Sequence, residues 1–124
     1  MQLDHIIIRV NDLAESLRFY TEILGLASDG KQDPFERIRV TPDLLLLLAP
    51  FGTSGDEHYA FSMGGGDFEA TFGRIREAGL DYGDSFHSVG NMQGPGEESG
   101  ARGLGKSLYC FDPNHHLIEI RTYE

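Results

Sequence analysis

One pattern of residues occurs twice in this chain, and the repeat restricts the possible folds more than any feature of composition. His5 stands fourteen residues before Phe19, and His58 stands fourteen before Phe72. Thr41-Pro42-Asp43 precedes one apolar segment, and Asp112-Pro113-Asn114 precedes another. Leu48 follows its proline by six residues, as Glu119 follows its own. A period of roughly 50–60 residues also fits solenoids and propellers, but two copies are too few for such an array. Two half-size modules sharing one architecture are expected instead.

Each copy reads as β-α-β-β-β. Residues 3–10 are strand-like, with Leu3, His5, Ile7 and Arg9 on one face and Asp4, Ile6, Ile8 and Val10 on the other. Asp12, with Glu15 three residues on, forms a capping-box start for a helix. Leu13, Leu17, Tyr20 and Leu24 give that helix one apolar stripe, and Gly25 stops it. A weak strand near Ala27, a stronger one at 36–41, a turn at Pro42-Asp43 and the apolar strand 44–49 complete module one, about residues 1–50. Residues 51–56, rich in Gly, Ser and Thr, read as a linker. Module two, about 57–124, opens with a strand at 57–63, in which His58, Ala60 and Ser62 share a face. Asp67 is the expected N-cap of a helix carrying Phe68, Phe72 and Ile75, and Gly79 ends it. A strand at 82–87, a Gly-rich loop at 90–103, and strands at 106–111 and 116–122 follow. The fold class is α+β.

Composition narrows the functional classes. The 124 residues carry 20 acidic against 10 basic side chains, a net charge of −10, which repels phosphate backbones and anionic lipid. Nucleic-acid and membrane partners are therefore not expected. The longest apolar run, 44–49, falls far short of the roughly 20 residues a membrane helix needs. One cysteine, Cys110, excludes an internal disulfide and suits a reducing compartment. With no signal-peptide pattern at residues 1–4, a cytoplasmic location is expected.

Three polar residues occupy inward-facing strand positions: the repeat-related His5 and His58, and Glu119 among Leu117, Ile118 and Ile120. Two imidazoles and a carboxylate form a recurrent set for Fe(II), and also serve Mn(II) and Zn(II). Three ligands leave positions open for water or substrate. Taken singly, each histidine also reads as a hydrogen-bonded, partly buried residue. Glu119 is harder to place without a partner, since ionised carboxylates rarely sit alone in a core. His115 and His116 read as turn or surface residues, and His87 as a loop residue.

These segments carry a resemblance. Leu3-Asp4-His5-Ile6 with Phe19-Tyr20 and Leu24-Gly25, then His58-Tyr59-Ala60-Phe61, then residues 107–113 through Glu119 resemble the vicinal oxygen chelate superfamily. That superfamily includes glyoxalase I, extradiol dioxygenases, fosfomycin-resistance enzymes and bleomycin-resistance proteins. The resemblance implies two βαβββ modules forming a cup-shaped mixed sheet around one divalent ion (Fe, Mn, Zn or Ni) held by His5, His58 and Glu119. It further implies a homodimer with shared sites, in which His5 of one chain joins His58 and Glu119 of the other. The substrate implied is a small molecule chelating the ion through adjacent oxygens.

Departures from the individual patterns matter. Glyoxalase I commonly places a glutamate base in module one's last strand, and here the repeat position is Leu48. The extradiol signature resembles Leu108-Tyr109, Asp112-Pro113 and Glu119, but the histidine expected before Leu108 is absent. Fosfomycin-resistance enzymes resemble module two closely, although Ile7 stands where they usually carry threonine. Bleomycin-type proteins, the non-enzymatic alternative, lack the metal triad. Strand parity puts Arg9 with His5 and Arg121 with Glu119, which suits an anionic substrate, although pairing with nearby carboxylates explains both arginines as well. Ser107 and Arg102 are further candidates for substrate binding. Tyr109 is the candidate catalytic residue, as a hydrogen-bond donor to the bound ligand, and reads equally well as a packed strand aromatic. The 90–103 loop is a candidate lid. Alanine at His58 or Glu119 is expected to abolish metal binding and leave the fold largely intact.

Overall fold

A computed structural model describes all residues, Met1–Glu124, as two compact units, Met1–Ser54 and Gly55–Glu124. No helix is long and apolar enough to cross a membrane.

In the first unit, β1 (His5–Arg9), β2 (Ala27–Gln32), β3 (Phe35–Thr41) and β4 (Leu44–Ala49) form a mixed sheet of order β1-β4-β3-β2. Only β1 and β4 run parallel; the later pairs are hairpin-linked and antiparallel. Helix α1 (Leu13–Arg18) begins as the capping motif requires, with the Asp12 carboxylate accepting from the Glu15 N–H at 2.9 Å. It then widens into a π-helical turn at Phe19–Ile23, closed by the Leu24 N–H donating to the Phe19 carbonyl. The wider turn brings Phe19 into the core beside Tyr20 and Leu24, so the buried face departs from the expected stripe, and Leu13 and Leu17 are only half-buried. Ile8, Val10, Ile38, Leu46 and Leu48 fill the helix side of this unit. Each such side chain contributes about 1.5–3 kcal/mol by leaving water.

The second unit repeats the scheme with β5 (His58–Ser62), α2 (Gly65–Glu77), β6 (Tyr82–Gly83), β7 (Gly96–Gly100), β8 (Gly103–Phe111) and β9 (Leu117–Thr122). The order is β5-β9-β8-β6, with β5 and β9 parallel and β7 also on β8. Phe68, Phe72 and Ile75 of α2 are buried, as are Leu108, Ile118 and Ile120 on one sheet face.

Five expectations need correction here. Helix α2 starts at Gly65 with Gly64 as N-cap, not at Asp67, because a distant group supplies the cap: Glu124 Oε1 accepts from the Gly65 N–H at 2.6 Å. The strand expected at 82–87 is only two residues long, and the expected loop at 90–103 contains β7. β6 and β7 cover successive stretches of the same edge of β8, so they stand as one strand interrupted by residues 84–95. His116 is buried, edge-on to Tyr59, rather than at the surface. Finally, the repeat partner of Glu119 is Leu47. His5 pairs with Leu45 and Ile7 with Leu47, while His58 pairs with Leu117 and Ala60 with Glu119. Leu48 matches Ile120 and lies fully buried on the helix side.

Candidate metal centre

The parallel pairing of β5 with β9, and the antiparallel pairing of β9 with β8, set one face of the second unit. Registers Ala60–Glu119–Tyr109 and Ser62–Arg121–Ser107 place these six side chains on that face with His58. Ile118, Ile120 and Cys110 fall on the opposite face by the same alternation. The strands that bury the core thereby fix where the polar residues point.

Glu119 is the centre of the polar cluster. Its side chain is 7% exposed, and each oxygen has its own partner. Oε1 lies 3.1 Å from His58 Nε2, while Oε2 accepts from Arg121 Nη1 at 2.6 Å. His58 is half-exposed, whereas Arg121 is buried. The other terminal nitrogen of Arg121 donates to the Glu98 carbonyl at 2.8 Å, and Nε has no hydrogen-bond partner. Tyr109 stands opposite Glu119 and is 3% exposed. Burial raises its phenol above the ordinary value of 10.0; the Ser107 hydroxyl opposes the shift, and the Glu119 and Glu98 charges add to it. Tyr109 is therefore a protonated hydrogen-bond donor at neutral pH. Ser107 Oγ is fully buried without a well-formed hydrogen bond, although it stands close enough to the phenol to favour its ionised form.

A cleft of about 380 Å³ opens beside this cluster, lined by Glu119, Arg121, Ser62, Gly100, Arg102 and Tyr123, among others. Two guanidinium groups stand over the Tyr123 ring, Arg102 at 4.6 Å and Arg121 at 4.8 Å from its centroid. Arg102 also donates to Ser62 Oγ at 3.1 Å, and its backbone N–H donates to the Tyr123 hydroxyl at 3.2 Å. It sits at the tip of the β7–β8 hairpin.

In the first unit, His5 Nδ1 lies 2.7 Å from Asp4 Oδ2, which leaves Nε2 as the nitrogen for a ligand. Arg9 shares the His5 face of β1, but its Nε and Nη2 donate to the carbonyls of Gly52 and Phe51 at 2.9 and 3.1 Å. Its guanidinium also stands over the Phe51 ring. Leu47 and Leu45 line a recess of about 300 Å³ with His5, Asp4 and Phe35. No carboxylate occupies the position matching Glu119.

Sequence reasoning missed Asp4, Tyr123, Gly100 and Gly105. Asp4 carried a signal in its adjacency to His5. The two glycines carried one in their density along 94–105: a methyl group at either would collide with what β9 places there. Tyr123 carried none, since its role depends on two arginines from different segments.

A sequence model of the Glyoxalase/Bleomycin resistance protein/Dioxygenase superfamily matches residues 2–120. The chain belongs to this superfamily. Among its relatives, the glutathione transferase FosA of Serratia marcescens is 27% identical over 97% of this chain and 79% of its own length. The virulence protein STM3117 of Salmonella typhimurium is 28% identical over 98% of this chain and 84% of its own. The solved structure of the oxidase ChaP-H1 is 33% identical and superposes with a TM-score of 0.81, covering 100% of this chain and 97% of that one. Superfamily members commonly bind a divalent ion. Two donors each about 2.1 Å from one ion, at about 90–110°, stand about 3.0–3.4 Å apart. The 3.1 Å between His58 Nε2 and Glu119 Oε1 meets that condition. Neither unit by itself gathers three His, Cys, Asp or Glu side chains suited to one ion. The donors present thus fit part of a superfamily metal set.

Proposed function

We propose that this chain is a metal-dependent enzyme whose small, anionic substrate chelates one divalent ion through adjacent oxygens. His58 and Glu119 are two ligands, and His5 of the partner subunit is the third in a homodimer with shared sites. The observation that carries this reading is the apposition of His58 Nε2 and Glu119 Oε1 at ligand–ligand spacing on a face open to a cleft. When bound, such an ion stabilises negative charge developing on a substrate oxygen.

The chain's own residues supply the rest. Tyr109, kept protonated by burial, donates a hydrogen bond to a substrate oxygen. Ser107, fully buried at the neighbouring register position, steadies the Tyr109 phenol rather than reaching substrate itself. Arg102, at the cleft rim, draws in an anionic group. Asp4 holds the His5 ring through Nδ1, as carboxylates behind ligand imidazoles do. Arg9 is tied to the 51–52 carbonyls and borders this region rather than reaching freely for substrate.

The full-length similarity to an oxidase at a TM-score of 0.81 favours oxygen-dependent oxidation of the chelated substrate. The similarity to FosA supports a second reading, thiol or water addition to a small epoxide. Isomerisation with a glutamate base in the first module is disfavoured, because that position is Leu47.

Metal analysis of protein purified without added metal or chelator tests the proposal, beside His58→Ala. About one Fe per chain, lost in the variant, with oxygen uptake on catechol-like substrates, supports the oxidase reading. One Mn, Zn or Ni, with thiol consumption on an epoxide phosphonate, supports the second. No metal in either protein after reconstitution overturns both and makes a drug-sequestering module the better account.

A further inference from the structure

Arg121 was expected to face substrate, yet its surroundings leave no open fork. It is 3% exposed, and its terminal nitrogens are divided between Glu119 Oε2 and the Glu98 carbonyl. The Tyr123 ring covers its face. A Cβ at Gly100 would overlap the guanidinium and the Tyr123 hydroxyl; one at Gly105 would strike the Thr122 carbonyl first and crowd the guanidinium as well. Two glycines, from β7 and from β8, thus leave the space that the Arg121 guanidinium and the Tyr123 ring share.

A buried guanidinium so enclosed acts on its neighbour. We infer that Arg121 is a positioning residue, which holds Glu119 by Oε2 and leaves Oε1 as the one oxygen offered beside His58. Glu119 would then serve as a one-oxygen ligand, and the one further coordination position its second oxygen would otherwise fill stays open for substrate. This rests on the reading of His58 and Glu119 as ligands. Its distinct content is that Gly100, Gly105 and Arg121 set the binding mode of the carboxylate. Outer groups that orient ligands typically govern metal affinity by about 10–100-fold.

The test is Co(II) titration of the full-length, metal-stripped protein, followed by visible d–d absorption. Arg121→Met removes the donors but keeps the apolar stem; Gly100→Ala leaves the arginine and displaces it. Both are expected to weaken Co(II) binding about 10–100-fold. Both are also expected to reduce the d–d intensity, as a released carboxylate takes the metal through two oxygens and raises its coordination number. Arg121→Lys, keeping one donor, recovers part of the affinity. A purely structural role would lower stability without moving the spectrum. Should Arg121→Met fail to fold, Gly100→Ala decides. Wild-type affinity and spectrum in a folded variant would overturn the inference while leaving the metal site standing. Absence of Co(II) uptake by the wild-type protein would overturn the metal reading and this inference with it.

Discussion

The two units use one strand order for opposite purposes on their open faces. Where the second unit has Glu119, Tyr109 and Arg121, the first has Leu47, Arg37 and Ala49 at the same register positions. Both keep a histidine at the start of the first strand. The carboxylate of the second unit is buried and backed by an arginine; the leucine of the first is half-exposed and needs no partner. The contrast shows what a buried charge demands of a sheet. Glu119 comes with a paired guanidinium, a covering aromatic ring and two glycines that make room, whereas Leu47 comes with none of these.

The contrast breaks most severely at Glu119. Glu119→Ala leaves the Arg121 guanidinium buried and unpaired, so we expect a loss of about 3–5 kcal/mol in urea unfolding besides loss of metal. This revises the expectation that alanine at Glu119 leaves the fold intact. Glu119→Gln, which retains a hydrogen-bond acceptor for Arg121, separates the two effects. His58→Ala is the cleaner probe of the metal, because the side chain is half-exposed. Metal binding should be abolished, with a stability change of less than about 1 kcal/mol by the same unfolding assay.

Helix capping sharpens the comparison at a smaller scale. Asp12→Ala should cost the first unit about 1 kcal/mol, whereas Glu124→Ala, which removes the exposed acceptor of the Gly65 N–H, should cost the second about 0.5 kcal/mol. Denaturant midpoints of the two variants would show it. The smallest effect at neutral pH lies with Cys110, whose thiol burial pushes from 9.0 up to about 12. The folded state holds that proton where the unfolded chain releases it. Stability from this group is therefore complete below about pH 8.5 and declines as pH rises towards 12. Native protein should resist a thiol-specific reagent at pH 8 and react once unfolded; rapid native reaction would show the thiol to be accessible.

Much of this was legible because it rests on periodicity. Strand alternation placed His58 and Glu119 on one face, and the Asp12 cap, Gly25 and the apolar runs marked elements that the structure contains. Reading failed where a distant residue decides a local outcome. Glu124 moves the start of α2 by supplying its cap, and the interrupted edge strand hides its second half behind residues 84–95. Repeat alignment slipped by one residue because the two prolines occupy different places in equivalent turns. Arg39 and Leu45 match Phe111 and Leu117, but Pro42 lies three residues beyond Arg39, and Pro113 two beyond Phe111. Turn chemistry explains the difference: Asp112 Oδ1 accepts from the N–H groups of Asn114 and His116, whereas a bulge between Arg39 and Thr41 reshapes the other turn.

The divided edge of β8 has a bearing on how such a chain can change. Tyr109 is gripped by β6 and Ser107 by β7, so the register of both is set on either side of residues 84–95. The N–H groups of Gly90 and Met92 tie that segment back to the Tyr82 carbonyl, so lengthening is best placed at exposed Phe86–His87, where added loop length costs little entropy. Lineages of this chain have room to remodel the border of the sheet by insertion while the polar face stays fixed. A protein engineer has the same latitude for grafting a reporter peptide there.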